Sequence, residues 1–255
     1  MIKQLKWILG PCVWENYSHT RMMIEKINKI MGDREWTFKV SFDKANRTSK
    51  NSYRGIDIID FRNNIENLKK ELNFKITTDI HEPWQVDVLK DVIDVWQIPA
   101  FLCRQTDLIL AASNTMKPVN IKKGQFLSPK ECEHIINKVK STGNKKVSII
   151  ERGFVNGYND LIVDMRSFPI IKQFGIPIIF DATHSVQQPG SSNITGGQKQ
   201  FSLPLAKAAI AAGADGIFAE VHNDPDNSPS DSATIMNIKK LKQFIEECEK
   251  IHEAV

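Results

Sequence analysis

The 255-residue chain is 41% hydrophobic and 25% charged, an ordinary globular composition that supports one large core and excludes disorder, collagen and coiled coil. Its 34 Lys and Arg against 30 Asp and Glu leave a net charge of +4, too mild for a duplex-coating protein and better matched to anionic small molecules. Cys12, Cys103, Cys132 and Cys248 form no C-x-x-C pair and no small disulfide framework, as expected of reduced cytosolic thiols.

Apolar and β-branched runs alternate with helical patterns from end to end. In chain order the first half predicts strand Trp7–Leu9, helix His19–Met31, strand Thr37–Phe42, helix Asn63–Leu72, strand Lys75–Thr78, helix Pro83–Lys90, strand Val92–Ile98 and helix Asp107–Asn114. The second half continues with strand Pro118–Ile121, helix Pro129–Thr142, strand Val147–Ile150, helix Val163–Phe174, strand Pro177–Phe180, helix Leu205–Ala212, strand Gly216–Ala219 and helix Asn237–His252. Ser128-Pro129 reads as an N-cap and first helical residue, with Glu131 close behind. Thr142-Gly143 and Ala212-Gly213 read as helix ends, where Gly accepts the left-handed conformation.

Eight strand–helix pairs without a linker-like break or internal repeat predict one (β/α)8 TIM barrel of the α/β class, a single catalytic domain over residues 1–255. An open doubly wound sheet would carry G-x-G-x-x-G after its first strand, and Gly10-Pro11-Cys12 is not that motif. Three connections are long: Asp43–Gly55, His184–Ser202 and Val221–Met236. The middle one contains Gly190-Ser191-Ser192 and Gly196-Gly197, so a mobile lid is expected at Gln188–Gln198. Trp7-Ile8-Leu9 is too short for a signal-peptide core, and Leu203–Val221 is broken by Lys207, Asp215 and Glu220. A cytoplasmic protein without a membrane span is the expectation.

Chemistry on such a barrel gathers at the C-terminal ends of its strands. Here those ends deliver Cys12, Lys39 to Arg47, Asp79, Gln97, Lys122, Arg152, His184 and Glu220. Any one of the cations also reads as a solvated charge or structural ion pair. Lys39, Lys44, Arg47, Lys122 and Arg152 in one cleft, with Arg104 nearby in sequence, call for several anionic groups to relieve their repulsion. Phosphorylated metabolites fit better than nucleic acid, because no stacking aromatics are interleaved. A second set, Cys12, His184, Glu220 and Asp231, mixes thiolate, imidazole and carboxylates in a way that can hold a divalent transition metal. Its spacing is too wide for a zinc finger, so the set depends on the barrel bringing strands one, seven and eight together. Cys12 alone also reads as a small buried hydrophobe, and His184 as a general acid or base. Asp224-Pro225-Asp226-Asn227 lacks the Gly and final Glu of a calcium loop. His81 and His222 are expected as hydrogen-bonded structural residues.

With these residues in view the chain resembles the 3-deoxy-D-manno-octulosonate 8-phosphate synthases over essentially its whole length. The blocks begin with Gly10-Pro11-Cys12, the run Phe38 to Ser49, Thr78-Asp79-Ile80-His81-Glu82 and the run Gln97 to Asp107. They continue with Lys122-Lys123-Gly124-Gln125-Phe126, Glu151-Arg152-Gly153, Asp181-Ala182-Thr183-His184-Ser185-Val186-Gln187, Glu220-Val221-His222 and Ser230-Asp231. The resemblance implies condensation of phosphoenolpyruvate with arabinose 5-phosphate in lipopolysaccharide biosynthesis. The related 3-deoxy-D-arabino-heptulosonate 7-phosphate synthases use erythrose 4-phosphate and have Lys-Pro-Arg-Thr where this chain has Lys44-Ala45-Asn46-Arg47-Thr48. Asn46 offers a donor and an acceptor to sugar hydroxyls, and Pro offers neither.

By that resemblance Lys44, Gln97, Pro99 and Ala100, Lys122 and Arg152 hold phosphoenolpyruvate. Lys39, Asn46, Arg47 and Thr48 hold arabinose 5-phosphate, with Asp79 nearby and Arg104 reaching in from a neighbouring subunit of a homotetramer. Lys39, Asn46, Asp79, His184 and Asp231 are the implied catalytic residues. Thr48 stands where Ser is usual, and Trp14 replaces a smaller aliphatic residue. The family has metal-dependent members with Cys, and metal-independent ones with Asn, at the position of Cys12. The resemblance therefore implies Cys12, His184, Glu220 and Asp231 as ligands of zinc, iron(II), manganese or cobalt. Two rivals are a Schiff-base aldolase using Lys122 as nucleophile and a nucleic-acid-binding module using the basic stretch Lys39–Arg54.

Overall fold

Each expected strand forms within three residues of its expected ends in the computed structural model, which describes residues 4–46, 49–156, 160–188 and 196–255. The strands are β1 (Lys6–Gly10), β2 (Trp36–Lys39), β3 (Ile76–Asp79), β4 (Val95–Ile98), β5 (Val119–Lys122), β6 (Val147–Glu151), β7 (Ile178–Asp181) and β8 (Gly216–His222). All eight run parallel in sequence order, and β8 returns to β1 in the register Lys6↔Gly216 to Gly10↔Glu220. The sheet is thereby a closed (β/α)8 barrel with no free edge.

Alternation along the strands sorts side chains between two compartments. Ile8, Ile150, Ile179 and Phe218 face inward and form a small apolar plug inside the barrel. Their sequence neighbours, such as Ile149, Ile178, Ile217 and Ala219, face outward into the main core under the helices. Continuing the alternation toward the C-terminal mouth brings Arg152 and Glu220 inward above the plug. The Phe218 ring is the floor on which the mouth's lysines stand: Lys122 Nζ lies 3.6 Å and Lys39 Nζ 5.9 Å from its centroid.

Among the described residues the barrel is covered by the α-helices α1 (Tyr17–Met31), α2 (Ile58–Glu71), α3 (Trp84–Leu89), α4 (Thr106–Asn114), α5 (Cys132–Ser141), α6 (Ser167–Lys172), α7 (Ser202–Ala211) and α8 (Leu241–Ala254). The terminal helix α8 buries Leu241, Phe244, Ile245 and Cys248, one helical stripe, and Phe244 meets Trp7 edge-on. Gly143 and Gly213, beyond α5 and α7, hold positive φ of +87° and +104°, as expected at helix ends. Among the described residues no helix is long and apolar enough to cross a membrane.

Five helix starts differ from the sequence expectation by three residues or more: α7 begins at Ser202 ahead of Leu205, α8 at Leu241 after the Asn237 side chain has accepted from the Lys239 N–H, and three others as follows. α2 begins at Ile58, ahead of Asn63, because the Asp57 carboxylate caps the Ile59 and Asp60 N–H groups. α5 begins at Cys132, since residues 128–131 close a turn in which the Glu131 N–H donates to Ser128 O. Ser128 therefore caps nothing; instead Glu131 Oε2 accepts from the Ser128 N–H at 2.8 Å. α6 begins at Ser167, not Val163, because Asp160–Ile162 pairs antiparallel with Phe154–Asn156 in a hairpin absent from the sequence reading. At the expected lid Gln188–Gln198, Gln188 pairs antiparallel with Gly196 and the preceding Gln187 with Gly197, and positions 189–195 lie outside the described residues.

Candidate active site

The strand ends open into one cavity of about 440 Å³. Lys39, Lys44, Asn46, Asp79, Pro99, Ala100, Lys122, Arg152, His184 and Asp231 all line it. These are ten of the residues singled out in the sequence, gathered from seven strand ends and their loops. Gln97 lies behind the wall, fully buried, with Nε2 donating to Asp79 Oδ1 at 2.7 Å. Cys12 and Glu220 are wholly buried beneath the cavity. Arg104 is exposed and is not part of this cavity's lining; its carbonyl accepts from Lys138 Nζ. Arg47 and Thr48 lie outside the described residues.

Backbone geometry explains how β1 and β2 come so close. A Cβ on Gly10 would stand 2.0 Å from Lys39 O, so only glycine permits this approach. Lys39 then extends under the mouth, donating to Cys12 O at 2.8 Å and Glu220 Oε1 at 3.0 Å, with Asp79 Oδ2 at 3.6 Å. Asp79 also accepts from Ser41 Oγ at 2.6 Å. Burial opposes the Asp79 charge, but Lys39, Lys44 and Lys122 outweigh it and hold the carboxyl well below the usual range. Burial likewise opposes charge on Lys44, yet the sulfur of Cys12, then the carboxylates of Glu220, Asp231 and Asp79, hold its ammonium above its ordinary pKa.

On the opposite wall Asp181, wholly buried at the end of β7, serves two cavity residues. Its Oδ1 accepts from the Thr183 and His184 N–H groups at 3.0 and 2.8 Å, and its Oδ2 pairs with His184 Nδ1 at 2.8 Å and with Lys122 Nζ. Burial lowers the pKa of Lys122 and of Arg152, against the pull of Asp181. Arg152 donates to Gln187 Oε1 at 2.9 Å, and Gln187 Nε2 donates to Asp231 Oδ1 at 2.6 Å. Gln187 thus joins the cation wall to the acidic wall. Sequence reading placed Asp181 and Gln187 only inside a motif; their positions three residues either side of His184 were the available signal.

Cys12, Glu220 and Asp231 offer ligand atoms that all lie within 4.8 Å of one another. Cys12 Sγ is 2.9 Å from Asp231 Oδ2 and 3.0 Å from Ser230 Oγ. His184 Nε2 approaches the set at Glu220 Oε1, 3.6 Å away. Two observations fit a divalent ion here. Glu220 Oε2 is buried without a hydrogen-bond partner among the described residues, and the Asp181 carboxylate on Nδ1 leaves His184 Nε2 as the free lone pair. Burial, then Asp231 and Glu220, raise the Cys12 thiol well above its ordinary pKa, so a cation is what would stabilise its thiolate.

A second group, Glu15, His19 and His222, also gathers ligand atoms within 4.8 Å of one another, but one of its imidazoles is fully engaged. His222 Nδ1 accepts from the Asp224 N–H at 2.9 Å, so Nε2 carries the proton donated to Glu15 Oε1 at 2.7 Å. His222 is therefore hydrogen-bonded on both nitrogens with no lone pair left for a metal, whereas His19, whose Nε2 donates to Asn223 Oδ1 at 2.8 Å, keeps Nδ1 buried without a hydrogen-bond partner among the described residues. His81 departs from its expectation as a hydrogen-bonded structural residue. Its ring lines the cavity against Phe42, and Nδ1 is buried without a hydrogen-bond partner among the described residues.

Residues 3–255 match the family model described as the DAHP synthetase I family. A protein of Koribacter versatilis named 2-dehydro-3-deoxyphosphooctonate aldolase is 45% identical over 254 residues, covering 97% of this chain and 91% of the relative. One of Bartonella bacilliformis with that name is 49% identical over 245 residues, covering 95% and 87%. Another of Desulfatibacillum aliphaticivorans is 45% identical over 250 residues, covering 97% and 92%. On fold, cavity and near-full-length similarity together, the chain belongs to the DAHP synthetase I family.

Proposed function

We propose that this enzyme condenses phosphoenolpyruvate with D-arabinose 5-phosphate and water, giving 3-deoxy-D-manno-octulosonate 8-phosphate and phosphate. It would act in the cytoplasm, as one catalytic domain, in lipopolysaccharide biosynthesis. The observation that carries the reading is the cavity: Lys39, Lys44, Lys122 and Arg152 line it together, with Asn46 at its exposed edge. Four cations around so small a volume suit two phosphorylated substrates held side by side.

In this reading Lys44, Lys122 and Arg152 bind the phosphate and carboxylate of phosphoenolpyruvate beside Pro99 and Ala100, with Gln97 bracing Asp79 behind. Lys39, Asn46, Arg47 and Thr48 take the five-carbon sugar phosphate. C3 of phosphoenolpyruvate forms a bond to the aldehyde carbon and water oxygen adds to C2. The C2–O bond to phosphate then breaks, leaving the keto group. Asp79 faces the cavity as a fixed carboxylate beside the bound substrates, while His184 and Asp231 would hold the ion and Lys39 fixes charge at the cavity base. Phe218 and the buried strand ends keep bulk water from the reacting atoms.

Cys12, His184, Glu220 and Asp231 would hold zinc, iron(II), manganese or cobalt, the metal-dependent arrangement. When bound, such an ion orients substrate oxygen and offsets developing negative charge. A homotetramer in which Arg104 reaches a neighbouring site completes the reading. Phe101, Phe126, Val155 and Ile162 around the mouth are each more than half exposed, apolar surface that an oligomer would cover.

Phosphoenolpyruvate consumption by purified protein, with arabinose 5-phosphate or erythrose 4-phosphate, before and after chelation, tests the reading. Turnover only with arabinose 5-phosphate, lost to chelator and restored by a divalent metal, is the expected result. Turnover only with erythrose 4-phosphate would overturn the substrate, and inactivity with both would overturn the reaction.

A further inference from the structure

Behind the cavity wall lies a charged pair with no place in the chemistry above. Lys123 and Glu151 are both fully buried, with Nζ 3.6 Å from Oε1. Strand alternation turns them away from the cavity while it turns their neighbours, Lys122 and Arg152, into it. Lys123 Nζ donates to Gly124 O at 3.2 Å and Leu127 O at 3.1 Å, and sits 3.6 Å from the centroid of the Phe154 ring. Glu151 Oε1 accepts from the Gly153 N–H at 2.6 Å. The backbone joins the same two strand ends, since the Lys123 N–H donates to Ile150 O.

The contacts radiate to the cavity in three directions. Glu151 fixes Gly153 and so the backbone that carries Arg152. Lys123 fixes the turn over residues 124–127, whose Gln125 lines the cavity and whose Gln125 O accepts from the Val155 N–H. Lys122 is the residue immediately before Lys123 on β5. Burial works against both charges, lowering the Lys123 pKa and raising that of Glu151, each opposed by the partner. Such a pair adds little stability over well-packed apolar residues of similar volume. What it adds is direction: the ammonium must meet its carbonyls and the carboxylate its N–H.

We propose that Lys123 and Glu151 form a positioning pair for the phosphoenolpyruvate side of the site, setting Lys122, Gln125 and Arg152 from behind the barrel wall. The inference rests on the phosphoenolpyruvate reading above. Glu151→Gln keeps shape and an acceptor for Gly153 but removes the charge. The double variant Lys123→Met with Glu151→Gln removes both charges at nearly constant volume.

Steady-state kinetics, varying phosphoenolpyruvate and arabinose 5-phosphate in turn, would be run beside thermal unfolding. The KM for phosphoenolpyruvate is expected to rise about fivefold or more in both variants, while that for arabinose 5-phosphate stays within about twofold. A folded double variant whose phosphoenolpyruvate KM is unchanged overturns the proposal, as does an equal rise in both constants. If the double variant does not fold, Glu151→Asp replaces it, retaining charge but drawing the carboxylate back from Gly153, and the same split decides. A wild-type protein that consumes no phosphoenolpyruvate would instead remove the underlying reading, a separate and distinguishable failure.

Discussion

Cys12 Sγ stands 2.9 Å from Asp231 Oδ2 across 219 positions of sequence, and both residues hold positive φ, +35° and +52°. Non-glycine backbone in that region costs roughly 1–3 kcal/mol per residue and persists where the surroundings over-determine it. Here β1 and the loop after β8 are each bent so that a thiol meets a carboxylate under the cavity. Packing alone does not call for this, since a small apolar residue would fill the space beside Ser230 without the strain. The arrangement fits the cation site proposed between thiolate and carboxylates.

That relationship predicts a difference between two substitutions at Cys12. Cys12→Asn supplies a polar side chain that can hydrogen-bond Asp231 without a metal, so it is expected to retain chelator-resistant activity. Cys12→Ala removes both ligand and hydrogen bond and should lose activity with or without metal. Chelator titration of wild type and both variants, read by phosphoenolpyruvate consumption and metal content, checks this. Equal chelator sensitivity of wild type and Cys12→Asn would sink the metal assignment.

Asp181→Asn is expected to weaken both the fold and the site. The amide retains an oxygen for the Thr183 and His184 N–H groups but leaves Lys122 buried without its nearest counter-charge. Breaking a buried pair by removing one partner costs about 3–5 kcal/mol. Urea unfolding should register a loss of that order, and kcat/KM should fall on the order of 10² through displaced Lys122 and His184. Unchanged stability and turnover would mean that Asp181 orients neither residue.

The barrel was legible because short apolar and β-branched runs, alternating with helical stripes, are what strands buried on both faces of a closed parallel sheet require. Lys39, Lys122 and Arg152 could be placed at its mouth by counting along strands. Two kinds of feature escaped that logic. The paired strands Phe154–Asn156 and Asp160–Ile162 contain too few residues each to show a period, and the run Leu161-Ile162-Val163 imitates a helix start. His81 was misread because its unpartnered Nδ1 depends on what packs around it, which the local sequence does not encode. Asp181 and Gln187 are legible only once the turn Asp181–Val186 sets them on opposite sides of His184.

Acid stability should depend on Asp79. Its carboxyl is held below its unfolded value of about 4, because Lys39, Lys44 and Lys122 outweigh burial. A depressed acid contributes stability that is present above the unfolded pKa and is lost as pH falls through the folded one. Thermal unfolding of wild type should therefore decline below about pH 4. Asp79→Asn, which cannot titrate, should show a shallower decline over that window and a lower Tm at neutral pH. Parallel pH profiles for the two proteins would refute the assignment of this charge to Asp79.

Asn46 predicts a change in choice rather than in fold. Its side chain is exposed at the cavity edge, so replacing it leaves the barrel's core contacts intact. If the amide meets sugar hydroxyls, Asn46→Ala loses one or two neutral hydrogen bonds, each worth about 0.5–1.5 kcal/mol. The expected result is a fall of roughly tenfold in kcat/KM for arabinose 5-phosphate with Tm unchanged. Erythrose 4-phosphate has one hydroxylated carbon fewer, so its residual turnover should fall less and the ratio between the two aldoses should shrink. Measuring kcat/KM for both sugars in wild type and variant gives that ratio directly. An unchanged ratio would show that selection between the sugars lies elsewhere in the cavity.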